Sequence, residues 1–118
     1  MKNKIIRRGD VYWVNLDEVF PKLPHYQRGI RPCLIISNNR NNNHCDVVNV
    51  IPLTTQTDDL PQHKYIFVNH IKNYVIPEQI MTIHKALLKG FYGYVNKDML
   101  DITESAMKIQ FGMKERYK

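Results

Sequence analysis

The chain has 118 residues, 43% of them hydrophobic and 24% charged. That length suits a single domain spanning residues 1–118 and excludes two of ordinary size, and the composition is that of a globular protein rather than a disordered one. Seventeen Lys and Arg against eleven Asp and Glu leave a formal charge of +6. Such a surplus favours an anionic partner, nucleic acid first, although solubility alone accounts for many basic surfaces.

Cys33 and Cys45 form neither a CxxC pair nor a disulfide framework. The first ten residues lack the apolar run of a signal peptide, and no stretch approaches the roughly 20 apolar residues of a membrane span. A cytoplasmic protein with no membrane association is expected.

In chain order, Gly9-Asp10 is a turn signal, and Val11-Tyr12-Trp13-Val14-Asn15-Leu16 is rich in the β-branched and aromatic residues that fit a pleated strand. Residues 17–30 lose that pattern: Pro21, Pro24 and Gly29 break regular structure and leave a loop long enough to suspect function. Pro32 to Ser37 contains the unbroken apolar run Cys33-Leu34-Ile35-Ile36, the signature of a strand buried on both faces. Asn38 to Asn43, five asparagines around Arg40, reads as a polar turn or mobile loop.

Asp46 to Thr55 resumes strand character, with Pro52 demoting part of it to an edge or a bulge. After a polar connection at 57–62, Tyr65-Ile66-Phe67-Val68 is a short strand and Gln79 to Ile83 a further, alternating one. Lys85 to Lys89 suggests one helical turn stopped by Gly90. Asn96 is placed to cap a helix whose Met99, Ile102, Ala106, Ile109 and Met113 recur at spacings of three and four. About five short strands and a C-terminal helix, with no βαβ alternation, predict an α+β fold: a small, strongly curled antiparallel sheet or barrel with a helix packed on it.

His25, His44, His63, His70 and His84 are scattered, with no HExxH and no paired Cys/His spacing, so no metal site is expected. No GxSxG marks a nucleophile elbow and no glycine-rich phosphate loop is present. Two short segments remain. In Gly29-Ile30-Arg31-Pro32, Arg31 ends the loop and starts a buried strand; a guanidinium there serves equally as a bidentate phosphate clamp or as an ordinary surface cation. In Leu53-Thr54-Thr55-Gln56, two hydroxyls and an amide end an apolar strand; they suit hydrogen bonding to a phosphate, and threonines also simply favour strands.

Taken as an ordered set, Arg8-Gly9-Asp10-Val11-Tyr12, then Gly29-Ile30-Arg31-Pro32 leading into Cys33 to Asn38, then Ile51-Pro52-Leu53-Thr54-Thr55-Gln56, then Glu78-Gln79-Ile80-Met81-Thr82-Ile83 resembles the MazF/PemK toxin family from about residue 7 to 111. The resemblance implies the SH3-like β-barrel of MazF- and CcdB-type toxins, dimeric, with helices at one side. It implies sequence-specific cleavage of single-stranded RNA through the 2′-hydroxyl to a 2′,3′-cyclic phosphate, with no metal and no cofactor. It carries the catalytic roles onto Arg31 and Thr54. Lys22, His25, Tyr26, Gln27 and Arg28 of the loop, with Thr55 and Gln56, are then the expected RNA contacts, and Phe20 and Trp13 are further rings for stacking.

The expected partners are RNA, a second copy of the chain and a cognate antitoxin, with DNA contacted only together with that antitoxin. Arg31 suits charge stabilisation better than proton transfer, since a guanidinium stays protonated; the sequence names no obvious base and leaves that role unassigned, with His25 of the loop as one candidate. Two departures from the family stand out. Pro24-His25-Tyr26-Gln27-Arg28-Gly29 replaces a Gly-Ser-Glu-Gln-Gly-Gly stretch, and Met81 stands where an arginine is common. The rival readings are a toxin of the same barrel class that inhibits DNA gyrase and a non-catalytic nucleic-acid-binding barrel.

Overall fold

In the computed structural model, which describes residues 5–56 and 59–114, the apolar runs become the middle strands of one bent antiparallel sheet. Strand β1 (Asp10–Asn15) pairs with β2 (Ile30–Ile35), and β2 with β3 (Val47–Thr54). β4 (Tyr65–Val68) and β5 (Ile71–Val75) form a hairpin on β3, β6 (Met81–His84) also pairs with β3, and β7 (Phe91–Tyr94) closes on β1. Helix α1 (Asn39–His44) links β2 to β3, and helix α2 (Lys97–Gln110) follows β7. The result is the expected curled antiparallel half-barrel with a C-terminal helix.

The bend is made by β3. Its first half, Val47–Val50, pairs with β6, whereas Leu53 and Thr54 pair with β5. Pro52 lies between the two partners. Its carbonyl accepts the Ile76 N–H at 3.1 Å, so its missing N–H falls where one neighbouring strand has ended and the next has begun. Pro52 therefore sits in a central strand, opposite Cys33 of β2, rather than at the edge or bulge that its chemistry suggests; a proline is tolerated where the ladder has a gap.

Alternation along β1, β2 and β3 sends side chains into two cores. Tyr12, Val14, Cys33, Ile35, Val48 and Val50 fill one side; Val11, Leu34, Ile51 and Leu53 pack on the other with Ile66, Val75 and Ala106 of α2. Burial on both faces is why Cys33 to Ile36 reads as an unbroken apolar run. Burial also pushes the Cys33 thiol up to about 12, whereas Cys45 is exposed and both cysteines are free. Because the thiolate is the nucleophile, an excess of iodoacetamide is expected to add one label to the native protein, at Cys45, and two after denaturation. Intact-mass spectrometry checks this, and native labelling of Cys33 would contradict the packing.

Three expectations are corrected. The asparagine tract is a helix rather than a loop: Asn38 caps α1 by accepting from the Asn41 N–H, Asn41 donates to the Val47 carbonyl, and buried Asn42 donates to the Ser37 carbonyl. The Asn38 amide meets one of the N–H groups that a helix start leaves open, and the other two tie the helix to Ser37 after β2 and to Val47 of β3. β5 and β7 were not expected as strands: Lys72 and Asn73 hide the alternation of the first, and Gly93 weakens the second. The stripe of α2 holds for Met99, Ile102 and Ala106, but the helix ends at Gln110, and Gly112 at φ +66 turns the chain so that Met113 lies exposed beyond it.

Candidate active site

Arg31 and Thr54 are 23 residues apart in sequence and meet because of the β2–β3 register. The last pair in that ladder is Cys33 with Pro52. Continued by two residues, the register sets Arg31 opposite Thr54, where β3 has already turned to pair Thr54 with Tyr74 of β5. The strands part there and open a cleft of about 630 Å³ that both residues line.

Each is held by a local bond, and each lines the cleft. Arg31 Nε donates to the Arg28 carbonyl at 2.9 Å, and among the described residues no carboxylate pairs with its guanidinium. Thr54 is a buried residue, 7% exposed, and its hydroxyl accepts the Gln56 N–H at 3.2 Å. An oxygen that accepts from its own turn keeps its proton for another acceptor.

The loop from 17 to 29 forms one wall. Asp17 Oδ1 accepts the Gly29 N–H at 3.1 Å and pairs with the Arg28 guanidinium at 2.8 Å. Gly29, at φ +74, supplies the left-handed turn into β2. Phe20 and Tyr26 stack at 4.8 Å. On the far side, Gln79, which follows Glu78 in a 3-10 turn (Pro77–Gln79), accepts from the Gln27 N–H at 2.9 Å through Oε1 and donates through Nε2 to the His25 carbonyl at 2.7 Å. One amide thus grips two backbone groups flanking Tyr26, including His25 in its left-handed conformation at φ 75.

Gln79→Ala removes both bonds, each worth about 1 kcal/mol. It is expected to speed tryptic cutting after Lys22 and Arg28 severalfold while the thermal midpoint moves by only a few degrees; unchanged digestion would show that the clamp does not hold the loop.

His25, Tyr26, Gln27 and Arg28 from the loop line the cleft, as do Thr55 and Gln56 after β3. Lys22 does not; it is exposed elsewhere on the loop. Arg28 reaches the cleft, but its guanidinium is engaged by Asp17 and by the Pro21 carbonyl at 3.0 Å, which makes it a brace of the loop. Trp13 packs on Tyr92 at 4.7 Å and is absent from the cleft wall.

Besides apolar Leu60 and Ile76, three polar cleft residues escaped the sequence reading. Gln79 is one; the other two form a dyad. His63 Nε2 and Glu78 Oε2 are 2.6 Å apart, with the His63 side chain only 2% exposed. His63 Nδ1 is buried and has no hydrogen-bond partner among the described residues. Spacing could not have found this pair, since it is closed by the β4–β5 hairpin that lies between the two residues. Among the described residues, no three His, Cys, Asp or Glu side chains are grouped to hold a metal ion, and no helix is long and apolar enough to cross a membrane.

Comparison with known proteins agrees with this architecture. Residues 7–111 match the family described as the PemK-like, MazF-like toxin of type II toxin–antitoxin systems. The chain is 30% identical to Endoribonuclease EndoA of Bacillus subtilis (strain 168) over 115 residues, covering 92% of this chain and 97% of that protein. Its fold is similar to an endoribonuclease in complex with its cognate antitoxin from a mycobacterial species, with a TM-score of 0.71, 25% identity and coverage of 96% of this chain and 99% of the other. MazF from Deinococcus radiodurans shares the fold with a TM-score of 0.74 at 17% identity, over 94% of this chain and all of the other. The bent sheet, the C-terminal helix and the match along nearly the whole chain lead to one conclusion: this chain belongs to the PemK-like, MazF-like toxin family of type II toxin–antitoxin systems.

Proposed function

We propose that the protein is the toxin of a toxin–antitoxin pair and acts as a metal-independent endoribonuclease on single-stranded RNA. The observation that carries this reading is the pairing of an arginine free of carboxylate partners among the described residues with a threonine hydroxyl across one cleft. The family membership and the endoribonuclease name of the Bacillus relative support it.

In the reaction, the 2′-oxygen of the RNA attacks the adjacent phosphorus and its proton leaves to a base. The P–O5′ bond breaks, the leaving 5′-oxygen takes a proton from solvent water, and the products are a 2′,3′-cyclic phosphate and a 5′-hydroxyl. Charge accumulates on the non-bridging phosphoryl oxygens. Arg31, with its ε N–H already committed to Arg28, presents its terminal N–H groups to those oxygens. Thr54 donates its hydroxyl proton to the same phosphate and fixes its position. His25, on the cleft wall, takes the 2′-hydroxyl proton.

Tyr26, backed by Phe20, offers a ring face to an unstacked base, and Gln27, Thr55 and Gln56 offer donors and acceptors to base edges. Lys22, outside the cleft, adds long-range attraction for phosphates. The working unit is a homodimer in the cytoplasm, held inactive by its antitoxin; the antitoxin-bound structural relative supports that partner.

The test is incubation of purified protein with a long single-stranded RNA in EDTA, followed by mapping of the ends. Cuts recurring at one short sequence, with cyclic phosphate termini, are expected. Intact RNA at protein concentrations that saturate binding would overturn the ribonuclease reading and favour either a protein target such as DNA gyrase or binding alone.

A further inference from the structure

The row of side chains that contains Thr54 continues past the cleft. Thr54 pairs with Tyr74 of β5, and Tyr74 pairs with Tyr65 of β4. Residues directly opposed on antiparallel strands project on the same face, so Thr54, Tyr74 and Tyr65 form one row leading outward. Two residues along, Phe67 opposes Lys72 on that face. The groups touch: Tyr65 lies 5.9 Å from Phe67 and 6.2 Å from Tyr74 between ring centroids, and Lys72 Nζ sits 4.3 Å from the centre of the Tyr65 ring and 5.4 Å from that of Tyr74.

Folding does not account for this cluster. The hairpin is anchored by its opposite face, where Ile66, Val68 and Val75 are fully buried in the core shared with α2. Tyr65 and Phe67, by contrast, are each left 49% exposed. Two neighbouring rings half in water mark a surface that contacts something else. The charge says what. Residues 60–77 contain Lys64 and Lys72 and not one Asp or Glu, and the chain as a whole carries +6. Ring faces interleaved with lysine, on a hairpin that itself carries no carboxylate, complement the flat bases and phosphates of a single-stranded nucleic acid. Tyr65 lies two strand spacings from Thr54, about 10 Å, within reach of the same oligonucleotide.

We propose that Tyr65, Phe67 and Lys72 form a stacking subsite for the nucleotides of a single-stranded RNA that run beyond the cleft. The proposal rests on the ribonuclease reading, because it takes the RNA bound at Arg31 and Thr54 as the occupant.

Its test reads binding rather than cutting, so that the two can fail separately. Fluorescent oligouridylates of about six and about sixteen nucleotides, lengths that bracket typical single-strand sites, are titrated by anisotropy against wild type, Tyr65→Ala, Phe67→Ala, Lys72→Ala and Tyr65→Phe. Thermal midpoints and sedimentation are measured alongside. The long probe is expected to bind wild type more tightly than the short one. Each ring deletion should erode that advantage by about tenfold, Lys72→Ala should lower the salt slope for the long probe by about one, and Tyr65→Phe should preserve the advantage. An identical length advantage in all variants overturns the proposal. So does a shift in sedimenting mass with the length advantage intact, which would assign this face to a protein contact. Absence of RNA cleavage, with the subsite effects present, would instead sink the ribonuclease reading alone.

Discussion

Arg31→Ala is expected to lower kcat on a cleavable RNA by about 10²–10³-fold while leaving the protein folded. The chemical cost is large because, on the proposed mechanism, this guanidinium, with no carboxylate partner among the described residues, supplies the charge that faces the reacting phosphate. The structural cost is small. The substitution removes one hydrogen bond, to the Arg28 carbonyl, worth about 1 kcal/mol, and the backbone pair with Val14 of β1 remains. Arg31→Lys is expected to recover little: an ammonium cannot hold the Arg28 carbonyl and present a planar two-donor fork at once.

Thr54→Ala should also depress kcat, whereas Thr54→Ser, which keeps a hydroxyl on the same turn, should restore a measurable part of it. Single-turnover cleavage with end mapping reads all four variants. Full activity in folded Arg31→Ala would place the chemistry elsewhere.

The second large effect concerns the dyad and is read in stability. Glu78→Ala leaves His63 buried with neither ring nitrogen bonded among the described residues. A buried donor stripped of its partner costs about 1–3 kcal/mol, so the urea midpoint should fall without a change in slope. Glu78→Gln keeps an oxygen that accepts from Nε2 and should retain most of the stability. Equal losses in the two variants would show that the carboxylate contributes through its charge rather than through the hydrogen bond. Because Glu78 adjoins Gln79 in the 3-10 turn, the alanine variant should also loosen the loop in the same digestion assay that reports on Gln79.

The legible and illegible parts of the chain divide along physical lines. Cys33 to Ile36 and the stripe on α2 were readable because burial imposes a period on the sequence. β5 was not: Asn73 occupies a buried position and donates to the Ile71 carbonyl, so a polar residue stands where alternation demands an apolar one. The asparagine tract misled because asparagine favours turns; here its amides cap the turns of a short helix. Arg31 and Thr54 could be named only as members of an ordered set of segments, since their meeting is a property of strand register. His63 and Glu78 carry no local signature at all.

The ways in which the loop is held have a consequence for how such proteins diverge. Asp17 fastens the Gly29 amide, and Gln79 fastens the Gln27 amide and the His25 carbonyl. At these points the grip is on main-chain atoms, which are the same whatever side chains the loop carries. Pro24, Tyr26 and Gln27 are therefore free to vary in identity while the wall keeps its shape, and Arg31 and Thr54, placed by the β2–β3 ladder, stay where they are. On the proposed function, recognition and cutting are then separable: the preferred base sequence can drift, or be re-targeted by exchanging Tyr26 and Gln27, without the proposed catalytic residues having to evolve again. Exchange of Tyr26 and Gln27, with His25 kept, that shifted the mapped cut sites while leaving the single-turnover rate at each variant's own best site close to wild type is the expected signature of that separation.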